Sequence, residues 1–160
     1  GTCRDRAIGA DVAQPWCWRL DTGGAEALAG PLFWEDRDAG RVAARPGDLG
    51  DVVIARKDAP ASYHLAVVVD DAAQGISHVV RGRDLFAATH IHRLLQAVLG
   101  LATPAYVHHR LIVDATGERL AKRRQAPSLA ALRGDGADPV RLVENLRAGR
   151  FPVGFALEAS

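Results

Sequence analysis

The sequence predicts an α/β fold, in which a strand–helix–strand unit lies between a β-rich N-terminal part and a short helical C-terminal segment. Three observations lead to this prediction. A continuous apolar and β-branched run at residues 65–69 is typical of a strand covered on both faces, as in a parallel sheet. A second run, residues 76–80, follows a Gln-Gly turn. A helical pattern then precedes a third predicted strand at residues 106–113.

The first fifty residues predict a small module that is β-rich or irregular. They are rich in Gly, Ala, Asp and Arg and contain all three tryptophans of the chain. Residues 16–20 and 32–37 are predicted as short strands, and Gly23-Gly24 between them is predicted as a turn. Residues 51–56 are then predicted as the strand that begins the central part.

Capping residues set the expected helix limits. The helix of the central unit is expected to begin at Asp84 and to end before Gly100. Ser128 and Asp138 are expected to cap two short helices in the C-terminal part. Residues 150–160 show no clear period and are expected to form a frayed tail.

Composition indicates an ordinary soluble protein, with 48% hydrophobic and 24% charged residues. The formal net charge of +1 is smaller than a dedicated nucleic-acid binder usually carries, so any RNA contact must come from local patches. No apolar run is long enough to cross a membrane, and we expect a cytoplasmic protein. Because the sequence has no Met even at position 1, we expect it to be a processed chain or a piece of a longer one.

Two residues of the central part are candidates for binding a small anion. Arg81 ends an apolar strand, and the carboxyl ends of strands in open α/β sheets are where ligands bind. A guanidinium can hold a carboxylate through two parallel hydrogen bonds. Tyr63 precedes the run at residues 65–69 and could line the same pocket. The structural alternatives are a surface salt bridge for Arg81 and a packed strand-end ring for Tyr63.

The histidines do not predict a metal site. His90 and His92 lie two residues apart on a predicted helix, so they face different directions. His108 and His109 are adjacent in a predicted strand and point to opposite faces. Neither pair has the spacing of a zinc site.

A basic cluster follows the Asp-Ala-Thr-Gly turn at residues 114–117. It is either a solvated loop or a phosphate clamp, in which a lysine stabilises the charge on a leaving pyrophosphate. The sequence contains neither a Gly-x-x-x-x-Gly-Lys loop nor a Gly-x-Gly-x-x-Gly fingerprint. A nucleotide site here must therefore be of another design.

Residues 50–125 resemble class I glutamyl-tRNA synthetases. The resemblance is carried by Val-Asp-Asp-Ala-Ala-Gln-Gly-Ile-Ser-His-Val-Val-Arg-Gly at residues 69–82 and by Arg-Leu-Ala-Lys-Arg at residues 119–123. The Gln-Gly pair, the opening Gly-Thr-Cys-Arg and the end of the chain soon after the basic loop are closer to the short paralogous family, the glutamyl-Q tRNA(Asp) synthetases. The implied fold is the second half of a class I Rossmann-type catalytic domain, with a small insertion module and a short helical C-terminal segment.

The resemblance also implies three parts. Residues 1–50 would be an insertion module with the remnant of a zinc segment. Residues 51–125 would be the second half of the catalytic domain, including a loop like Lys-Met-Ser-Lys-Ser. Residues 126–160 would be a helical segment and tail.

The implied activity is ATP-dependent activation of glutamate, with Mg, and transfer of the glutamate to queuosine in the anticodon of tRNA for aspartate. The alternatives are a fragment of a true glutamyl-tRNA synthetase and a non-catalytic module with a glutamate or RNA surface. The first half of the domain, with its His-Ile-Gly-His-type signature, has no counterpart here. We therefore expect the 160-residue chain alone to be inactive, and we expect the intact protein to be a monomer.

The implied glutamate-binding residues are Tyr63 and Arg81. Lys122 matches the second lysine of the ATP-contacting loop and is the implied catalytic residue. The implied loop comprises Arg119, Leu120, Ala121, Lys122 and Arg123. It departs from the family at Arg119, where lysine is usual, and at Ala121, where serine is usual.

Cys3 matches the last cysteine of the family's zinc cluster. The other implied ligands would precede residue 1, and one cysteine cannot form a site that needs about four ligands. Zinc is therefore expected only in the intact protein. Cys17 lies outside this motif and is expected to be a packed thiol.

Overall fold

The computed structural model describes residues 16–120 and 128–159. The chain divides into two compact units, Gly1–His109 and Arg110–Ser160. The three-part division at residues 50 and 125 stays a prediction. The described α-helices are α1 (Thr22–Ala29), α2 (Tyr63–Ala73), α3 (Ala88–Val98), α4 (Leu129–Gly134) and α5 (Pro139–Arg147). The described strands are β1 (Trp18–Arg19), β2 (Phe33–Asp36), β3 (Gly40–Ala43), β4 (Val53–Ala55), β5 (His78–Gly82), β6 (Ala105–His109), β7 (Ile112–Asp114) and β8 (Phe155–Leu157).

The main sheet of the first unit has the strand order β3-β2-β6-β5. Strands β2, β6 and β5 are parallel, and β3 pairs antiparallel with β2 at the edge. Helix α3 connects β5 to β6, as a parallel pair requires. The predicted strand–helix–strand unit and its parallel sheet are confirmed. The β5–β6 register places Arg81 opposite His108.

The predicted strand at residues 65–69 is wrong, because this run forms part of α2. Ser62 caps the helix by accepting a hydrogen bond from the backbone N–H of Leu65. Val68 is buried whereas Val69 is 43% exposed, so only one side of the run is covered. Burial of that side in the core with residues of α3 overrides the strand preference of the valines.

The N-terminal part contains a helix that the sequence did not predict. Gly23 and Gly24, predicted as a turn, lie inside α1. The Asp21 side chain caps this helix by accepting a hydrogen bond from the backbone N–H of Gly24. The short strands predicted on either side of α1 and at residues 51–56 are confirmed as β1, β2 and β4.

The central helix begins later than predicted. Asp84 lies in a short 3₁₀ helix, Arg83–Leu85, and α3 begins only at Ala88. The predicted end is confirmed, because Gly100 follows α3 with φ of 68°, a left-handed conformation that favours glycine.

The second unit contains a pair of strands and two capped helices. The long strand predicted at residues 106–113 is interrupted, and its second part is β7. The predicted frayed tail is wrong, because β8 lies within it and pairs antiparallel with β7. Ser128 and Asp138 cap α4 and α5 as predicted.

The hydrophobic core of the first unit lies between α2, α3 and β4. Its buried cluster consists of Val52, Val68, Ile91 and Leu95. Ile91 is fully buried. Within residues 16–120 and 128–159, no helix combines the length and the apolar character needed to cross a membrane.

Candidate functional site

Three parallel strands of the main sheet end at one edge with polar side chains. Asp36 is the last residue of β2, and Arg81 and His108 are the penultimate residues of β5 and β6. The carboxyl ends of parallel strands meet at the same edge of a sheet, where α/β folds bind their ligands. We call Asp36, His64, Arg81, His92 and His108 the edge cluster.

The Arg81 side chain is held by four hydrogen bonds. Its Nε donates to His108 Nε2 at 3.1 Å, and its Nη1 donates to His92 Nδ1 at 3.1 Å. Its Nη2 donates to the Thr89 hydroxyl at 2.6 Å and to the Leu85 carbonyl at 3.3 Å. The guanidinium also lies 5.3 Å from the centre of the Tyr106 ring.

These contacts use most of the N–H groups of the guanidinium. An arginine has five N–H groups, and one proton for each of the four contacts leaves one N–H on Nη1. None of its hydrogen-bond partners among the described residues is a carboxylate. The guanidinium of Arg81 is thus surrounded by neutral acceptors.

The contacts of Arg81 fix the tautomers of two histidines. Because arginine only donates, His92 Nδ1 must accept, and neutral His92 carries its proton on Nε2. His92 Nε2 lies 3.1 Å from His64 Nδ1, so it donates there and His64 carries its proton on Nε2. Burial, followed by the charge of Arg81, lowers the pKa of His92 to about 3 and also lowers the pKa of His64. Both imidazoles are therefore neutral at neutral pH.

The same reasoning fixes His108. Its Nε2 accepts from Arg81, so its proton is on Nδ1, which lies 2.7 Å from Asp36 Oδ2. Burial lowers the pKa of His108 more than the bond with Asp36 raises it. Burial alone would raise the pKa of Asp36, but hydrogen bonds from Ala39, His108 and Asp38 lower it overall. The pair is a carboxylate bound to a neutral imidazole, and that imidazole links a buried negative charge to Arg81.

Tyr63 lies beside this cluster as the first residue of α2. Its ring centre is 5.8 Å from the ring centres of both His64 and His92. The side chain is half-exposed. Its hydroxyl has no hydrogen-bond partner among the residues that the structure describes. The structure therefore brings Tyr63 and Arg81 together through His92, which touches both.

Packing beneath the cluster fixes its position. Trp34 is 2% exposed, and its ring contacts the rings of Tyr106 and His108 edge-to-face. Thr89 is fully buried, and its hydroxyl donates to the Leu85 carbonyl while it accepts from Arg81. Asp71 on α2 is a nearby acidic group, and burial raises its pKa although the charge of Arg81 opposes this effect.

The predicted ATP loop is described only at its start. Arg119 forms an isolated bridge with Val113, and the backbone N–H of Leu120 donates to the Ile112 carbonyl at 3.1 Å. Ala121, Lys122 and Arg123 lie outside the described residues, as does Cys3. Cys17, predicted to be packed, is exposed and carries a free thiol.

Sequence reasoning missed four members of the edge cluster and kept only Arg81. The histidines were considered as metal-ligand pairs within one helix or strand, whereas His92 and His108 each bind a residue of another element. Within the described residues no cluster of three or more His, Cys, Asp and Glu side chains is suited to a metal ion. The local indication for His64 as a site residue was that it directly follows Tyr63 in the sequence. The pairing of Asp36 with His108 spans 72 positions, and no local pattern indicates it.

A parallel sheet crossed by a helix, with polar side chains at the carboxyl ends of its strands, is the kind of fold that binds nucleotides and other anions, and comparison with known proteins gives its family. Residues 24–155 match the family described as tRNA synthetases class I (E and Q), catalytic domain, and the chain belongs to this family. The predicted fold class is confirmed.

The glutamyl-Q tRNA(Asp) synthetases are similar in sequence. That of Rhodobacter capsulatus is 58% identical over 91 residues, covering 57% of this chain and 33% of that protein. That of Leptothrix cholodnii is 41% identical over 160 residues, covering 99% of this chain and 50% of that protein. The predicted resemblance is confirmed. The chain spans half or less of the length of these relatives.

Solved structures of glutamate-tRNA ligases are similar in fold. A glutamate tRNA ligase from Elizabethkingia meningosepticum, solved in complex with its amino acid, aligns with a TM-score of 0.53 and 28% identity. The alignment covers 68% of this chain and 21% of that one. Glutamate-tRNA synthetase from Elizabethkingia anophelis aligns with a TM-score of 0.54 and 25% identity, over 79% of this chain and 25% of that one.

Proposed function

We propose that the full-length protein containing this sequence activates glutamate with ATP and transfers it to queuosine in the anticodon of tRNA for aspartate. The observation that carries the proposal is Arg81, a half-buried guanidinium whose hydrogen-bond partners among the described residues are all uncharged. A cation in such surroundings favours an anionic ligand. The names of the relatives support glutamate as that anion and tRNA for aspartate as the acceptor.

The edge cluster supplies the means of binding a carboxylate. The uncommitted N–H of Arg81 Nη1 donates to one carboxylate oxygen of glutamate. A second bond forms when Nη2 leaves the Leu85 carbonyl, whose contact of 3.3 Å is the longest of the four. Because His92 and His64 are neutral, the positive charge that attracts the ligand is that of Arg81. The hydroxyl of Tyr63 donates to the same ligand.

The activation step needs stabilisation of negative charge elsewhere. Attack of the glutamate carboxylate on the α-phosphorus of ATP forms the acyl–phosphate bond and releases pyrophosphate with its Mg. Lys122 stabilises the charge that builds on this leaving group. Arg119 and Arg123 flank it in the loop and add positive charge. Support for these roles is the match of the loop to the class I pattern.

Zinc in the intact protein stays a prediction. Cys3, the one predicted ligand, is outside the described residues, and the described part of the chain offers no metal cluster. The cytoplasmic location and the monomeric state stay predictions.

The decisive experiment is glutamate-dependent exchange of pyrophosphate into ATP, measured with the full-length protein in the absence of tRNA. The expected result is exchange that requires glutamate and is not supported by glutamine or aspartate. Lys122→Ala is expected to lower the exchange rate about 100-fold while changing the half-saturating glutamate concentration little, because the contact belongs to the transition state. Absence of glutamate-dependent exchange from a folded protein would contradict the proposal.

The second candidate is a true glutamyl-tRNA synthetase, which the similarity to two glutamate-tRNA ligases favours. The acceptor distinguishes the two. Transfer of labelled glutamate to tRNA for aspartate that carries queuosine supports the first proposal. Transfer to tRNA for glutamate supports the second.

A further inference from the structure

We propose that Asp36 is a positioning residue for Arg81, acting through His108. The carboxylate holds His108 in the tautomer protonated at Nδ1, and this leaves Nε2 as the acceptor that aligns the guanidinium. The inference rests on the proposed function only where it concerns glutamate, since the alignment itself is a property of the folded chain.

The two oxygens of Asp36 have separate tasks. Oδ1 accepts from the backbone N–H groups of Asp38 and Ala39 at 3.0 and 2.9 Å and closes the turn after β2. Oδ2 accepts from His108 Nδ1 at 2.7 Å. The Asp36 and His108 side chains are 2% and 1% exposed, so water cannot replace the bond between them. The orientation of the carboxyl group is therefore fixed by the turn as well as by the histidine.

This division makes an asparagine at position 36 informative. The backbone donors of Asp38 and Ala39 require an oxygen at Oδ1, so the amide nitrogen of asparagine must face His108. That nitrogen donates, and His108 Nδ1 must then accept and move its proton to Nε2. The N–H at Nε2 would face the Nε–H of Arg81, which also only donates, and would have to turn to the Thr89 hydroxyl 3.2 Å away, at the expense of the bond with Arg81. An exchange of Asp for Asn beside a histidine thus keeps the shape of the site and reverses the tautomer.

The structure also provides a matched control. Asp38 lies two residues from Asp36 and pairs with Arg37 at 2.9 Å on the surface. Asp38→Asn removes the same formal charge from the same turn. It keeps the backbone N–H that Asp36 needs and does not touch His108.

The experiment has one arm that is independent of catalysis. Full-length protein labelled with ¹⁵N at histidine and arginine is studied by NMR, through the two-bond ¹H–¹⁵N couplings of the imidazoles and the Nε–H signal of Arg81. The expected result is a proton on His108 Nδ1 in the wild type and in Asp38→Asn, and on Nε2 in Asp36→Asn, with a shifted Arg81 Nε–H signal. Thermal unfolding of each variant verifies the fold.

The second arm measures glutamate-dependent pyrophosphate exchange. Asp36→Asn is expected to raise the half-saturating glutamate concentration about tenfold, as loss of a hydrogen bond to a charged group does. Asp38→Asn is expected to change it less than about twofold, as a surface exchange does. A wild-type His108 protonated at Nε2 overturns the inference. A reversed tautomer with an unmoved Arg81 signal and an unchanged glutamate requirement overturns it as well.

The two proposals fail in different ways. If the wild type shows no glutamate dependence, the proposed function fails, and the NMR arm still decides whether Asp36 positions Arg81. If Asp36→Asn does not fold, His108→Gln takes its place, because its amide can donate to Asp36 and accept from Arg81. A preserved Arg81 signal in that variant supports the inference, and a lost signal in a folded His108→Gln contradicts it.

Discussion

The two compact units differ in what their side chains are packed against. Among the described residues, every buried hydrophobic residue belongs to the first unit, between Ala25 and Tyr106 in the sequence. Helices α4 and α5 of the second unit contain no buried residue. The second unit is instead held by helix caps and by the β7–β8 ladder.

This difference has a chemical meaning. A side chain that is surrounded by close-packed neighbours keeps one rotamer, so its donors and acceptors stay in place before any ligand arrives. The edge cluster lies in such surroundings, and its tautomers follow from its contacts. The described helices of the second unit lack such close packing.

The strongest test of the preorganised unit is Arg81→Ala in the full-length protein. We expect the glutamate requirement to rise by an amount equivalent to about 2–5 kcal/mol, because a charged hydrogen-bond partner is lost. Arg81→Lys should restore little, because an ammonium group cannot reach His108, His92 and Thr89 together as the planar guanidinium does. The measurement is the glutamate dependence of pyrophosphate exchange. An unchanged dependence in a folded Arg81→Ala variant contradicts the assignment of Arg81.

A second test, with an expected effect of similar size, compares what a side chain of each unit contributes to the free energy of unfolding. Ile91→Ala removes a fully buried core side chain and should lower the free energy of unfolding by about 2–5 kcal/mol. Leu129→Ala on α4 removes a side chain that is 73% exposed and should change it by no more than about 0.5 kcal/mol. Urea unfolding measures both. Equal losses would show that the packing difference between the units is not an energetic one.

A third test uses pH. Burial lowers the pKa of His92 from 6.5 to about 3 in the folded protein. Between these values the unfolded chain binds a proton that the folded chain does not, so stability falls as the pH falls below 6.5. At about pH 5 the loss from this residue is about 2 kcal/mol relative to neutral pH, at about 1.4 kcal/mol for each pH unit.

The control for this test is His92→Gln, which does not titrate. The pKa values of the buried or half-buried His64, His90 and His108 are also lowered. These residues therefore also reduce the stability of the folded protein as the pH falls. For each protein, the change in the free energy of unfolding between neutral and acidic pH is measured. The difference in this change between wild type and His92→Gln isolates the contribution of His92. If both proteins lose the same stability on acidification, His92 is not held neutral by the fold.

The smallest expected effect is that of Tyr63→Phe. If the hydroxyl donates to glutamate, its removal should weaken binding by about 0.5–1.5 kcal/mol, as expected for a neutral hydrogen bond. The fold should not change, because the hydroxyl has no partner among the described residues while the ring keeps its contacts with His64 and His92. A variant with lowered thermal stability and unchanged glutamate binding would indicate a structural role.

The sequence predicts well what depends on local pattern. The helix caps at Ser128 and Asp138 and the end of α3 before its glycine were predicted correctly, because each depends only on residues close together in the sequence. The error at α2 came from the same kind of signal, because β-branched residues favour strands and packing against α3 outweighed them. Tyr63 and Arg81 were selected from their places in the sequence and then by the family resemblance, but the part of His92, which touches both, was not predictable from either.

The edge cluster could not be predicted because its bonds depend on strand order and register. A periodic apolar pattern identifies strands but does not say which strand lies next to which. That β6 lies between β2 and β5 is what places His108 within reach of both Asp36 and Arg81. Long-range pairing of this kind is a property of the whole sheet.

The long span between Asp36 and His108 also determines when the site comes into existence. The two residues are 72 positions apart in the chain, and Arg81 and His108 are 27 apart. Contacts between distant positions form only after the entropy of closing the intervening loop has been overcome, which makes them slow. During synthesis Asp36 leaves the ribosome well before β6 does, so Oδ2 of its carboxylate has no histidine partner until that strand enters the sheet. A nascent chain that stops before residue 108 therefore carries Tyr63 and Arg81 but no assembled site.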